Sequence, residues 1–306
     1  MSKIEWTEKT WNPIVGCSVV SPGCTNCYAM KMAARLEAMR GDCLDDNGYA
    51  VRGKHPLAHY TGTTKRTKAG PVWTGKVALA SDHIITAPLR WKKPRRIFVN
   101  SMGDLFHESV PDEWINRVFS LMVQAEQHTF MVLTKRSARM RKYMTTTTTV
   151  PVVTRSGRVV HPGGWPLSNV WMGVTAEDQQ RANERIPDLL ATPAAVRFVS
   201  IEPMLGAIDL EYPASLFPDG PRGCCSGHDC GCTGRPIDPP LIYGVDWVIC
   251  GGESGPNART MRSSWVRGLR DQCAAAGVPF FFKQWEKRSG RLLDGVEHNG
   301  MPQVRS

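Results

Sequence analysis

From Lys76 onward the chain alternates short apolar runs with amphipathic stretches, and this alternation is the strongest constraint on its fold. Seven runs have the length and the content of β-branched and aromatic residues expected of strands. They lie at 76–80, 96–101, 130–134, 170–175, 196–201, 246–251 and 279–284. Helical stretches at 111–127, 137–144, 176–191 and 263–277 lie between them. The pattern is typical of β-α units around a parallel sheet.

An additional strand at Ile4 to Trp6 would bring the count to about eight β-α repeats. We therefore predict a TIM-barrel-like (β/α) barrel formed by a single domain over residues 1–306. A doubly wound open sheet is the alternative, because strand number alone does not close a barrel. Two insertions interrupt the repeat: residues 145–169, which indicate a hairpin or mobile loop, and residues 210–244, which form a Cys-rich loop.

Composition indicates a cytoplasmic protein. Of the 306 residues, 42% are hydrophobic and 22% are charged, which is typical of a globular chain with a substantial core. No stretch approaches the roughly 20 apolar residues of a membrane span, and the N-terminus does not resemble a signal peptide. In a reducing compartment, ten cysteines are expected to include metal ligands or catalytic thiols, although the scattered Cys43, Cys250 and Cys273 indicate structural roles.

Three cysteines, Cys17, Cys24 and Cys27, lie in one loop immediately before a predicted helix. They could bind an iron-sulfur cluster, contribute to a zinc site, or be ordinary buried thiols. Structural zinc requires a fourth ligand, which the loop does not offer. A four-iron cluster held by only three cysteines leaves one iron open to a substrate or cofactor.

A second group of cysteines lies in the sequence CCSGHDCGC, within the insertion at 210–244. It has enough thiolates and an imidazole for a compact zinc site, and an auxiliary iron-sulfur cluster is conceivable. The alternative is a flexible Cys-rich loop, because the spacing does not match the usual C-x2-C pattern. The candidate ligands are Cys224, Cys225, His228, Cys230 and Cys232.

The net charge of +10 is concentrated in one region. Between Lys31 and Arg96 there are fourteen Lys or Arg residues against five Asp or Glu. Aromatic residues are interleaved with these charges, so the region could follow the phosphates of DNA, RNA or a nucleotide and stack on bases. The alternative is a solvated face that serves solubility.

Polar side chains recur where the predicted strands end. Such ends meet at one edge of a parallel sheet, where ligand sites are built. We therefore predict a polar pocket there. Its catalytic candidates are Asp104, His107, Lys135, Glu202 and Lys283, and its cofactor-binding candidates include Ser101 and Ser254.

Eight segments of the chain together resemble the phage Gp37/Gp68 family. They are WNPIVGC, SPGCTNCYA, NSMGDLFH, LTKR, WMGVTAE, SIEPMLG, VICGGESGP and FFFKQW, and they run nearly from end to end. The three-cysteine motif of that family is in turn similar to that of radical S-adenosylmethionine (SAM) enzymes. The resemblance implies a phage or prophage protein that acts in the host cytoplasm.

The resemblance also implies a 4Fe-4S cluster on the three loop cysteines, with its open iron holding the amino and carboxylate groups of SAM. One-electron reduction, by a reductant protein, would then cleave SAM and release a 5'-deoxyadenosyl radical. Tyr28, which follows the third cysteine, is a further cofactor-binding candidate. The run Gly251, Gly252, Glu253 looks like the glycine-glycine-acid motif that contacts the methionine amino group in radical SAM enzymes, although here it follows a late strand.

The sequence thus favours a radical SAM-type enzyme that acts on a nucleic acid or nucleotide. Two other classes stay open. One is a zinc-stabilised nucleic-acid-binding protein without catalysis. The other is a metal-independent hydrolase that uses Asp104, His107, Glu202 and Lys135 in acid-base chemistry.

Overall fold

A computed structural model describes residues 4–39, 57–147, 149, 152–153, 159–160, 164–211, 240–255 and 257–303. The second cysteine group predicted to bind zinc or an auxiliary cluster lies outside these described residues. Its members are Cys224, Cys225, His228, Cys230 and Cys232. Cys43 also lies outside them.

The strands of the described residues, in chain order, are β1 (Lys9–Trp11), β2 (Ile14–Val15), β3 (Thr64–Thr67), β4 (Gly70–Trp73), β5 (Ala78–Leu79), β6 (Arg96–Val99), β7 (Thr129–Thr134), β8 (Val152–Val153), β9 (Val159–Val160), β10 (Val170–Thr175), β11 (Val196–Ile201), β12 (Trp247–Gly251), β13 (Phe280–Gln284), β14 (Leu292–Leu293) and β15 (Val296–Glu297). The α-helices are α1 (Tyr28–Ala38), α2 (Asp82–Ile85), α3 (Asp112–Gln124), α4 (Ser137–Thr146), α5 (Gln179–Leu190) and α6 (Ser263–Ala275).

The central sheet has seven strands in the order β1-β6-β7-β10-β11-β12-β13, and every neighbouring pair is parallel. The sheet is curled. It is also open, because its edge strands β1 and β13 do not pair with each other. The prediction of a TIM-barrel-like closed barrel is therefore wrong. The chain has an α/β fold with an open parallel sheet, which is closer to the alternative.

Two predicted strands fail to join the sheet, and this explains why it does not close. Ile4 to Trp6 adopts no strand conformation, and β1 forms a few residues later instead. From the run at 76–80 only β5 forms, and it pairs antiparallel with β2 outside the main sheet. The six other predicted strands and β1 form a seven-stranded sheet whose two edge strands are not joined.

Side chains on the two faces of the sheet form separate cores, because successive residues of a strand point to opposite sides. Helices α3, α4, α5 and α6 pack on the outer face, against residues such as Val132 and Met172. The inner, concave face is mostly aromatic and includes Phe198 and Trp247. Trp6 inserts into it, with ring centroids 5.0 Å from Phe98 and 6.0 Å from Trp247. The N-terminal segment thus fills space that the inward-pointing side chains would fill in a closed barrel.

Local signals set the helix boundaries. Helix α3 begins after Pro111 with two acidic residues in its first turn, which suits the positive end of the helix dipole. Helix α5 begins after Asp178, whose side chain accepts a hydrogen bond from the backbone N–H of Arg181. None of the helices that the structure describes is long and apolar enough to span a bilayer.

Two short hairpins accompany the sheet. Strands β3 and β4 form an antiparallel ribbon before the first long strand of the sheet. Strands β8 and β9 pair antiparallel within the insertion at 145–169.

Candidate functional site

The carboxyl ends of the sheet strands and a cysteine loop, defined as residues 17–27, surround a cavity of about 260 Å³. Strands β6, β7, β10, β11, β12 and β13 all contribute side chains or the residues that follow them. The predicted site residues that line it are Cys17, Cys24, Cys27, Tyr28, Ser101, Asp104, Lys135, Glu202, Gly252, Glu253, Ser254 and Lys283. His107 and Gly251 are not among the lining residues.

The cysteine loop runs from β2 to α1 and carries all three of its thiols to the cavity. Cys24 ends a 3-10 turn and is buried, whereas Cys27 directly precedes the helix. Gly16 lets the chain turn into the loop, since its φ of +91° suits glycine. A Cβ at Gly16 would also lie 2.1 Å from the carbonyl oxygen of Lys76. The loop therefore begins from a fixed, tightly packed position.

Burial controls the protonation of two of the loop thiols. Burial and the Asp104 carboxylate raise the pKa of Cys17 to about 12, although Arg136 opposes them. Burial also raises the pKa of Cys27, opposed by backbone hydrogen bonds at the start of α1. The metal-free thiols of Cys17 and Cys27 are therefore protonated at neutral pH, and a metal would bind by displacing their protons.

The three loop cysteines share one cavity, because all of them line it. In the part of the chain that the structure describes, no three His, Cys, Asp or Glu side chains converge as ligands of a metal ion. A cluster on these three thiols therefore stays a prediction.

Arg136 is the first of three anchors that hold the cysteine loop. Its Nη1 donates to the Cys17 Sγ at 3.2 Å, and its Nη2 donates to the Ser18 Oγ at 2.7 Å. Asp104 orients the guanidinium through Oδ2, and Asp104 Oδ1 accepts from the hydroxyl of Thr134 at 2.7 Å. Asp104 also accepts from the backbone N–H of Lys135. Its carboxylate is thus used to fix the end of β7.

Glu177, at the end of β10, is the second anchor. It is fully buried, and its Oε2 lies 2.9 Å from Arg185 and 3.5 Å from Lys135. Its Oε1 accepts from the backbone N–H of Gly23 in the loop. Burial raises the pKa of Glu177, but the two cations outweigh burial and lower it below its usual range. Lys135 is therefore paired with a carboxylate as it lines the cavity.

Glu253 is the third anchor. It is buried, and it accepts hydrogen bonds from the side chain of Asn26 in the loop and from Arg259. Arg259 also donates to the carbonyl of Pro22 in the loop. The glycine that precedes Glu253 serves close packing, because a Cβ at Gly252 would lie 2.6 Å from the backbone nitrogen of Glu286. These contacts occupy the carboxylate that the sequence suggested for cofactor binding.

Lys283 and Glu202 form a different kind of pair. Lys283 Nζ lies 2.8 Å from Glu202 Oε1, and the side chains are 22% and 14% exposed. Ser200 donates to the other oxygen of Glu202. A Cβ at Gly251 would lie 3.0 Å from Glu202 Oε1, so the glycine makes room for this carboxylate. Unlike the three anchors, this pair has no hydrogen bond to the cysteine loop among the described residues, and it faces the cavity.

The remaining predicted residues take supporting or peripheral positions. His107 is buried; its Nδ1 accepts from the backbone N–H of Ser109, so its Nε2 donates to the Ser18 Oγ at 3.0 Å. Burial and the Arg136 charge lower its pKa, which keeps the ring neutral. Ser101 donates to Asn12, and its carbonyl accepts from the Tyr28 hydroxyl.

The sequence did not indicate the site roles of four residues. Arg259 and Asn26 had no signal, because neither lies at a strand end. Trp6 was predicted to lie in a strand, yet it lines the cavity from the inner face. Arg136 follows a predicted strand, and that position indicated a site residue but not an anchor for Cys17.

Comparison with known proteins places the chain in a family. Residues 1–302 match the family described as protein of unknown function (DUF5131). No curated protein and no solved structure matches the chain. Since the match covers nearly the whole sequence, the chain belongs to the DUF5131 family.

Proposed function

We propose that this protein is a radical SAM-type enzyme in which Cys17, Cys24 and Cys27 hold a 4Fe-4S cluster. The observation that carries the proposal is that one anchored loop directs three thiols to one cavity at the carboxyl edge of a parallel sheet. The resemblance of the chain to the phage Gp37/Gp68 family, with its radical SAM-like three-cysteine motif, supports the same interpretation.

The cluster would supply the one-electron reduction that cleaves SAM and yields a 5'-deoxyadenosyl radical. The protein's own part is to hold the cysteines and to exclude water. Three ionic anchors fix the loop at Cys17, Gly23 and Asn26, one near each thiol. Each anchor comes from the end of a different strand, so the loop cannot shift without breaking a buried charge contact.

Lys283 and Glu202 suit the charged head group of SAM. The carboxylate of the methionine head group would accept a hydrogen bond from a lysine. Its amino group keeps N–H donors for a glutamate even when the nitrogen binds iron. In the free protein the two side chains neutralise each other at 2.8 Å. A head group placed between them would replace their direct contact by one charge-assisted hydrogen bond to each side chain. We assign these two residues to the head group, in place of Glu253.

The reaction further requires a reductant protein and a substrate. We propose a nucleic acid or nucleotide as the substrate class, because the basic region between Lys31 and Arg96 adjoins the cysteine loop through α1.

The two alternative classes stand differently. The zinc-stabilised binding protein stays open, because its candidate ligands in the second cysteine group lie outside the described residues. A hydrolase based on Asp104 and His107 would require free side chains, whereas Asp104 is committed to Thr134 and Arg136 and His107 is bonded to Ser18.

Anaerobic purification tests the proposal. Iron and sulfide are measured per chain, and EPR spectra of the reduced protein are recorded before and after addition of SAM. We expect about four irons per chain and a spectrum that changes with SAM. The variant Cys24→Ala should lose the cluster, while Cys273→Ala, a buried thiol in α6, should retain it. Zinc without iron in the wild-type protein, or full iron in Cys24→Ala, would contradict the proposal.

A further inference from the structure

We propose that a single-stranded polynucleotide reaches the cavity across the ribbon of β3 and β4, with its phosphates on Lys65, Arg66 and Lys68. This inference rests on the proposed function for what happens in the cavity, and it names the substrate class. The binding surface itself stands on separate observations, which concern charge, position and access.

The ribbon has an uncompensated positive charge. Residues 57–79 contain four Lys or Arg residues and no Asp or Glu. Lys65, Arg66 and Lys68 are exposed, and none of them has an ion-pair partner within the described residues. Elsewhere on the surface, by contrast, exposed arginines such as Arg267 are paired with carboxylates. Three unpaired cations on one short ribbon form a phosphate-binding surface.

The ribbon begins and ends at the edge of the cavity. Trp73, the last residue of β4, is buried and lines the cavity. Two residues later, Gly75 donates its backbone N–H to the carbonyl of Cys17 at 3.1 Å. Thr64 pairs with Trp73 and Thr67 with Gly70, so the ribbon extends about 10 Å from its base to its tip. A nucleic-acid strand bound at the tip of the ribbon is therefore roughly one or two nucleotides from the cysteine loop.

A second basic cluster in the same sequence region lies near the amino ends of the sheet strands, at the end of the sheet opposite the cavity. Lys92, Lys93 and Arg95 precede β6, whereas the cavity is built from residues that follow it, such as Ser101. Because the carboxyl end of β6 leads to the cavity, these three cations, which precede its amino end, lie on the side away from the cysteine loop. Of these two clusters of described residues, only the ribbon adjoins the cavity.

Access to the cavity favours a single strand. The cavity lies between the strand ends and the cysteine loop, below the surface that the ribbon presents, so a base could enter it only after leaving its stack. Tyr28, at the cavity wall, is 42% exposed and offers a ring on which a neighbouring base can stack. A single strand supplies unstacked bases without the cost of opening a duplex.

The test compares two matched triple variants of the full chain. One is Lys65→Gln, Arg66→Gln and Lys68→Gln; the other is Lys92→Gln, Lys93→Gln and Arg95→Gln. Each removes two lysines and one arginine, so the net charge falls equally. Binding of a fluorescent oligonucleotide of about 20 nucleotides is measured by anisotropy over a series of salt concentrations, and melting temperatures verify folding. The complementary duplex is the second probe.

We expect the ribbon variant to bind the single strand at least about tenfold more weakly at low salt. The slope of log affinity against log salt should fall by about 2, since each lost phosphate contact on a single strand contributes roughly 0.7. The control variant should bind like the wild type. Equal losses in both variants, no loss in either, absence of wild-type binding, or tighter binding of the duplex would overturn the inference.

These measurements are made on metal-free and on reconstituted protein. Ribbon-dependent binding without any iron in the reconstituted protein would leave the surface standing and refute the proposed function. A cluster that responds to SAM, together with ribbon-independent binding, would refute the surface and leave the proposed function standing.

Discussion

Arg136 Nη1 lies 3.2 Å from the Sγ of Cys17 and 3.2 Å from the Oδ2 of Asp104. One guanidinium, with its side chain only 5% exposed, therefore joins the end of β7 to the first cysteine of the loop. A donor aimed at sulfur stabilises the thiolate relative to the thiol, and the carboxylate behind it fixes the donor's direction. The pair thus connects the rigid sheet to the cysteine that burial otherwise keeps protonated.

We expect Arg136→Met to destabilise the protein by about 3–5 kcal/mol, because it leaves Asp104 buried without a cationic partner. The double variant Arg136→Met, Asp104→Asn should recover much of that stability. It should still bind less iron than the wild type, because Asp104→Asn does not restore the donor to Cys17. Unfolding by urea and iron per chain are the two measurements. Arg117→Met, which removes an exposed ion pair with Asp82, serves as the control. Normal iron in the double variant would show that the Arg136 contact is structural only.

The pair of Lys283 and Glu202 leads to a prediction about SAM binding. Lys283→Met should weaken binding of SAM by roughly tenfold to a hundredfold, the effect of losing one charge-assisted hydrogen bond. Glu202→Gln should have a similar effect, and the two changes should not be additive, because the residues are in direct contact. Anaerobic calorimetry on reconstituted protein measures both. Lys93→Met serves as the control: Lys93 is exposed and precedes β6, away from the cavity, so this variant should bind SAM normally.

The stability contributed by the third anchor, the contact of Arg259 with Glu253, can be compared with that of a surface ion pair. Arg259→Ala removes donors from the buried carboxylate of Glu253 and from the carbonyl of Pro22. Since Arg259 is 36% exposed, we expect a cost of about 1–2 kcal/mol in the free energy of unfolding. Arg267→Ala breaks a pair with side chains 48% and 38% exposed and should cost less than about 1 kcal/mol.

Limited proteolysis adds a local readout to that comparison. Cleavage within residues 17–27 should accelerate in Arg259→Ala and not in Arg267→Ala, because only Arg259 contacts the cysteine loop. Equal cleavage in the two variants would show that Glu253 does not hold the loop.

The sequence predicted most strands of the sheet because their signal is local. Runs such as 170–175 and 196–201 are largely apolar, as expected of strands buried on both faces, and they form β10 and β11 as predicted. Closure of the sheet depends on long-range packing. Nothing near Trp6 indicates that it packs against Phe98 and Trp247 instead of forming a strand.

The candidate site was predictable in location but less so in roles. Asp104, Lys135 and Glu202 follow three different strands and Lys283 lies near the end of a fourth, β13, so parallel topology alone brings them to the same end of the sheet. Their pairing is set by side-chain geometry. Lys135 pairs with Glu177 and Lys283 with Glu202, and the sequence could not distinguish these from the reverse arrangement.

Gly16 and Gly75 allow packing to be separated from backbone strain at the start of the cysteine loop. Their φ angles are similar, +91° and +86°, but a Cβ at Gly75 would meet nothing within 4 Å, whereas one at Gly16 would meet a carbonyl at 2.1 Å. Gly75→Ala should cost about 1–2 kcal/mol for the left-handed backbone alone. Gly16→Ala should cost at least about 2 kcal/mol more, and urea unfolding of the two variants measures the difference.

The Cys273 thiol contributes to the response of the protein to alkaline pH. Cys273 is fully buried in α6, and burial raises its pKa from 9.0 to about 12. In the unfolded chain the thiol ionises near its ordinary value, so unfolding releases a proton between those two values. The free energy of unfolding must therefore fall as pH rises through that window, by up to about 1.4 kcal/mol per pH unit from this group.

Cys273→Ser removes this titration while it keeps the size of the side chain. We expect the variant to have a shallower fall in the free energy of unfolding between about pH 9 and about pH 11 than the wild type. The absolute stabilities will differ because a buried hydroxyl is introduced, so the slopes are the quantity to compare. Urea denaturation in the presence of a reductant measures them. Identical slopes would mean that the Cys273 thiol ionises at its ordinary pKa in the folded protein, and that the outer core admits water at α6.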